Sequence, residues 1–107
     1  MIHVVAIITA KPGQRAAVLA NFAANRPAVL AEAGCIEYGA AVDVENMGTA
    51  AYGPDTFVVI EKWASAEAVQ EHLSSALMTE MARAAVGQVA SKPEIDLYDS
   101  ISSYDLE

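Results

Sequence analysis

The chain has 107 residues, a formal net charge of −8 and only six Lys and Arg, so it holds one domain with one core, and its acidic balance argues against binding nucleic acid or an anionic membrane. Its single cysteine, Cys35, excludes an internal disulfide and any multi-thiolate metal site. Hydrophobic residues make up 54% of the chain and charged residues 19%, with a mean hydropathy of +0.29; such an excess of apolar surface on a short chain predicts a homodimer.

Ile2–Thr9 is β-branched-rich and nearly all apolar, which predicts a strand covered on both faces. The N-terminal run lacks a basic flank and is too short to span a membrane, so it is read as a strand rather than a signal, and the cytoplasm is the expected location. Lys11-Pro12-Gly13 breaks it. Gln14–Glu32 places Val18, Leu19, Phe22, Val29 and Leu30 at helical spacing, with Pro27 removing one backbone hydrogen bond and predicting a kink. Gly34 ends this helix as its C′ residue.

Cys35–Val44 is predicted as a strand with Ile36, Tyr38, Ala40, Val42 and Val44 on one face. Glu45–Asp55, with two glycines and a proline, is a loop. Phe57–Trp63 is the third strand and Ala66–Val89 a helix with a weak point at Ser74-Ser75. Pro93 closes it, and Glu94–Ser102 is a final strand before a polar tail, Ser103–Glu107. The order βαββαβ implies a ferredoxin-like α+β fold, in which both helices cover one face of a four-stranded antiparallel sheet. The bare face then predicts sheet-to-sheet pairing of two copies.

Chemistry concentrates between Phe57 and Leu73. Glu61 alternates with Phe57, Val59 and Trp63 on one strand face, which places a carboxylate among core residues. Glu61 either pairs with Arg83 as a structural ion pair, or orients an imidazole or binds a substrate hydroxyl. His72 borders the core-facing stripe made by Val69, Leu73, Ala76 and Leu77, about 10 Å along its helix from Ser65. It reads as a general base or as a boundary histidine with a backbone partner. Trp63 offers an indole N–H, Tyr38 can line the same cavity, and Tyr52 sits in the long loop as a lid or an exposed turn residue. Phe22, Met78 and Met81 lie on core-facing stripes, and Phe22 and Met81 are assigned with Tyr38, Tyr52 and Arg83 to the pocket. His3 is read as structural or as an interface residue, and Cys35 has no neighbouring base to make it a nucleophile. The chain has no GxGxxG, no P-loop, no GxSxG and no metal-ligand spacing. No metal or cofactor is therefore expected, and the substrate itself must supply the chemistry.

The segments KPGQ at 11–14, EAGCIEY at 32–38, FVVIEKW at 57–63 and EHL at 71–73, with the proline-interrupted first helix, resemble the antibiotic biosynthesis monooxygenase family, especially its bacterial quinol monooxygenase-like members. The resemblance implies a dimeric α+β barrel with a pocket near Glu61, Trp63 and His72. It also implies oxygenation of anthrones or quinols without flavin, haem or metal, although other members degrade haem and some relatives isomerise sugar-derived signals. Two positions depart from the family pattern. Ala76-Leu77 stands where many relatives carry a proline-histidine pair, and Ile2–Thr9 lacks the asparagine of haem-degrading members.

The expected function is a cofactor-independent monooxygenase of small aromatic hydroquinones or related phenols, using O2, with His72, Glu61 and Trp63 as catalytic residues. The rivals are a non-catalytic, stress-associated dimer that binds small molecules, haem binding through His72, and a sugar-phosphate isomerase. The last is disfavoured by the scarcity of cationic phosphate ligands.

Overall fold

The structure, a computed structural model, describes residues 1–47 and 51–101. Gly48–Ala50 of the expected loop and the tail Ser103–Glu107 lie outside the described residues, as does Ser102. The elements are β1 (Ile2–Thr9), α1 (Arg15–Leu30), β2 (Cys35–Ala41), β3 (Thr56–Trp63), α2 (Ala66–Leu73), α3 (Ala76–Ala85) and β4 (Glu94–Asp99). They form one antiparallel sheet of four strands in the order β2-β3-β1-β4, the ferredoxin-like arrangement. Strand alternation divides its two faces. Val4 and Ala6 of β1 and Phe57, Val59, Glu61 and Trp63 of β3 are buried on the helix side, where they meet Val18, Phe22 and Val29 of α1 and Val69 of α2. Ile60 and Tyr98 stand on the opposite face, 42% and 57% exposed, where no element among the described residues covers them.

Three local readings need correction. The β2–β3 register shifts between Cys35 and Glu37, so Ile36 sits in a bulge and is exposed rather than sharing the inner face with Tyr38. β2 also stops at Ala41, opposite Val58, and Val42 and Val44 beyond it are exposed. The Asp43 carboxylate there accepts the Gly53 N–H at 2.8 Å, which turns the chain away from the ladder. Finally, the long second helix is two. The Ser75 hydroxyl accepts the Met78 N–H at 3.2 Å and caps α3, and it donates to the His72 carbonyl at 2.7 Å. α3 ends at Ala85 and Gly87 takes a φ of +87°. Val89 then bridges Ala10, because the Lys11 N–H donates to the Gln88 carbonyl and the Thr9 carbonyl accepts the Ala90 N–H, bonds that compete with further helical turns. Pro27 lies within α1, which runs on to Leu30.

Gly34 joins the two halves. Its φ of +81° is left-handed, its carbonyl accepts the Ala64 N–H at 2.8 Å, and a Cβ there would lie 2.6 Å from the Ala68 side chain on α2. The left-handed conformation alone costs a residue with a Cβ about 1–2 kcal/mol. Gly34→Ala is therefore expected to destabilise the protein by more than about 2 kcal/mol once the clash is added. Combining it with Ala68→Gly should recover the steric part, and strictly additive losses in urea unfolding would refute this account of the contact.

Candidate active site

Between the helix-facing side of the sheet and helices α1 and α3 lies a cavity of about 200 Å³. Ala6, Ile8, Phe57 and Val59 form its floor, and Val18, Phe22, Met78 and Met81 form its roof. Among the lining residues only Asn21, Tyr38 and Glu61 carry side-chain oxygen or nitrogen. The Asn21 amide donates to the Met81 carbonyl at 3.4 Å, which ties α1 to α3 across the roof. Leu73 and Ile95, 42% and 43% exposed, stand at the rim. A dry cavity of about 150 Å³ accepts benzene, so this space admits a substituted aromatic ring. Phe22 and Tyr38 stack with ring centroids 4.9 Å apart and present an aromatic wall.

Behind the wall the polar groups form a chain. The two-residue strand period puts Glu61 and Trp63 on one face, and the indole N–H donates to Glu61 Oε1 at 2.9 Å. α2 carries His72 over the same face, with its Nε2 3.8 Å from that oxygen, beyond hydrogen-bond reach. The other ring nitrogen, Nδ1, lies 2.7 Å from Glu32 Oε1. A carboxylate only accepts, so Nδ1 carries the proton and donates it to Glu32, which leaves Nε2 as the lone-pair nitrogen. Nε2 is buried and has no hydrogen-bond partner. The imidazole is wedged between Trp63, with centroids 4.6 Å apart, and Tyr38, at 5.7 Å.

Burial raises the Glu61 carboxyl above the ordinary carboxylate range, against the Trp63 hydrogen bond and the positive charge that His72 carries when both its nitrogens are protonated, which pull it down; the Glu32 charge adds to the rise. Burial also pushes the Tyr38 phenol well above its usual value, reinforced by Glu61 and Glu32. Tyr38 is therefore a neutral O–H. The Cys35 thiol is raised too, by burial and then by the same two carboxylates, so it lacks thiolate character at neutral pH.

Of the residues singled out from the sequence, Glu61, Tyr38, Phe22 and Met81 line the cavity. Trp63 and His72, 0% and 1% exposed, lie behind it, Trp63 bonded to Glu61 and His72 set against Glu61 and Tyr38. Arg83 does not meet Glu61. Its side chain is 70% exposed and pairs with Glu80 at 2.8 Å, because α3 is a separate helix whose outer face carries it. Tyr52 is 60% exposed and borders a smaller cleft beside Val42, Asp43 and Val58, away from the main cavity. His3 bonds the Ser100 hydroxyl at 2.6 Å, a structural tie. The sequence reading missed Glu32, which sits in the EAGCIEY segment just before the left-handed Gly34. Its signal was a carboxylate at the exit of α1, where the chain folds back towards α2. Among the described residues no group of three or more His, Cys, Asp or Glu side chains could hold a metal ion. A haem iron on His72 would have to displace Glu61 or Glu32.

Residues 1–84 match the family model described as antibiotic biosynthesis monooxygenase. Over 92 residues the chain is 38% identical to YgiN of Escherichia coli strain K12, named a probable quinol monooxygenase, with 83% of this chain and 88% of that protein covered. The fold is similar to that of NE2512 from Nitrosomonas europaea, a protein of unknown function, with a TM-score of 0.76, 26% identity and coverage of 94% of this chain and 88% of that one. A Deinococcus radiodurans protein, 19% identical, superposes with a TM-score of 0.81 over 100% of this chain and 99% of its own, a likeness of fold alone. By family model, curated relative and fold together, the chain belongs to the antibiotic biosynthesis monooxygenase family.

Proposed function

We propose that the protein is a monooxygenase that inserts one atom of O2 into a small aromatic hydroquinone or related phenol, without a cofactor. The observation that carries this reading is the buried carboxylate of Glu61 facing an otherwise apolar, ring-sized cavity. Family membership and the quinol monooxygenase name of the relative YgiN support it.

In this reading Glu61 takes the phenolic proton. A free phenol has a pKa of about 10, and a carboxyl raised by burial narrows the gap that transfer must cross. The phenolate passes one electron to O2. The ring radical and superoxide join at a ring carbon, giving a peroxide anion to which the neutral Tyr38 O–H can donate. Return of the proton gives a hydroperoxide, which loses water from the carbon bearing hydrogen and leaves a new carbonyl. One oxygen atom stays on the ring, the other leaves as water, and the ring supplies the electrons. The uncovered sheet face with Ile60 and Tyr98 serves in this reading as the surface that pairs two copies.

The purified protein should consume O2 when given a monocyclic hydroquinone. Glu61→Gln keeps an oxygen to accept the Trp63 N–H but cannot take a proton, and is expected to lower turnover by about 10²–10⁴-fold. Oxygen uptake at the wild-type rate would remove Glu61 from the chemistry.

The raised carboxyl also links stability to pH. Folded Glu61 holds its proton above the pH at which the unfolded chain releases it, so its contribution is intact below the unfolded value of 4.5 and lost as pH rises through the folded one. The Tm of Glu61→Gln should therefore gain on that of the wild type as pH is raised through this range. A gap that is constant with pH contradicts the assignment.

The dimer is tested by Ile60→Glu, which places a charge on the uncovered face without touching the cavity. Sedimentation velocity should show the wild type as a dimer and the variant as a monomer; equal sedimentation of the two would move the interface elsewhere.

A further inference from the structure

We propose that Glu32 is a positioning residue that holds His72 with Nδ1 protonated and Nε2 free, so that His72 receives the substrate's proton from Glu61 and stores it while oxygen is inserted. This rests on the reading of Glu61 as the base. The imidazole stands between two carboxylates, one on each ring nitrogen: Glu32 Oε1 bonds Nδ1 at 2.7 Å, and Glu61 Oε1 lies 3.8 Å from Nε2. Nε2 is a buried nitrogen with no hydrogen-bond partner, an arrangement that costs stability in the resting protein and keeps an acceptor available for the reaction. A shift of about 1 Å between the Glu61 carboxyl and the imidazole would bring the longer gap to hydrogen-bond distance.

The proton balance gives this store its purpose. The overall reaction releases no proton, because the phenolic hydrogen leaves in the water formed from the second oxygen atom. Between the two events it must be held nearby. On Glu61 alone it would sit against the cavity, beside the anions formed there, and the charge-assisted part of the indole N–H bond would be lost. On His72 it sits behind the wall, between two carboxylates. Glu32 is the outer one, with its side chain 23% exposed and in contact with solvent, and it does not line the cavity. Its removal should therefore change the chemical step and leave substrate binding alone.

Histidine-selective 15N NMR on the full chain reads the tautomer without turnover, and a His3→Gln variant assigns the signals because the chain has only two histidines. Wild-type His72 should show a protonated Nδ1 and an unprotonated Nε2. Glu32→Ala should scramble this preference and lower kcat by about 10²-fold with KM unchanged. Glu32→Gln, whose amide oxygen still accepts from Nδ1, should keep the tautomer and recover part of kcat. Protonation of Nε2 in the wild type, or wild-type kcat in folded Glu32→Ala, would overturn the proposal. If the tautomers behave as expected but no hydroquinone is oxidised, it is the monooxygenase reading that fails, and the arrangement of His72 by Glu32 stands.

Discussion

The structure is organised around a carboxylate that ought not to be where it is. Glu61 occupies a core position on β3, flanked by Val59 and Trp63 and 7% exposed. Desolvating an ionised carboxyl costs several kcal/mol. One charge-assisted hydrogen bond from the Trp63 indole offsets about 1.5–3 kcal/mol of that. His72 is too distant to add a second bond. The remainder shows as a carboxyl displaced upward from its usual range, a compromise in which the group is held by its neighbours without being fixed in the charged state. A group in that condition accepts and releases a proton readily, the property a general base requires.

Meeting that burial needs four segments of chain at one point, and Gly34 lets them meet. Glu32 leaves α1 and must reach an imidazole on α2 that lies 40 residues further on. The approach is possible because Gly34 has no side chain where Ala68 of α2 comes against it, and because its left-handed turn sends β2 back along β3. The same turn sets Cys35 opposite Trp63 and, through the bulge at Ile36, Tyr38 opposite Glu61. Had β2 kept regular alternation from Cys35, Tyr38 would face away from the cavity. One extra residue thus puts the phenol in the site.

Much of this was legible in the sequence. The alternation of Phe57, Val59, Glu61 and Trp63 identified the inner face of β3, and the helical spacing around Val69 put His72 at the border of the core-facing stripe, where the structure buries it. The βαββαβ order followed from the breaks at Pro12-Gly13, Gly34 and Pro93. Legibility failed where long-range pairing decides the outcome. A bulge adds a residue without any local mark, so Ile36 was placed on the wrong face. The Glu32–His72 bond joins residues 40 apart, and periodicity within an element carries no information about which elements exchange hydrogen bonds. Arg83 could be offered as a partner for Glu61 only on the premise of one continuous helix from Ala66. The break at Ser74-Ser75 turned it outward to Glu80. The serine pair was visible as a weak point, but its role as a cap depends on the Met78 N–H it satisfies.

The apolar walls bear on the proposed chemistry as directly as the carboxylate does. In water a phenolate is stabilised by hydration and gives up an electron reluctantly. In a cavity where only Asn21, Tyr38 and Glu61 offer polar side-chain atoms, and where Asn21 is already engaged with Met81, the anion has few partners and is a stronger reductant. O2 is itself apolar and enters such a space without a desolvation penalty. In the proposed sequence the superoxide formed there is the first species whose negative charge sits on oxygen supplied by O2. The Tyr38 O–H, kept neutral by burial and by the carboxylates beside it, is the donor placed to meet it. In the proposed sequence the two carboxylates that flank the proton stored on His72 also help burial keep the tyrosine in the form the later step needs, so that proton storage and oxygen activation both draw on Glu61 and Glu32.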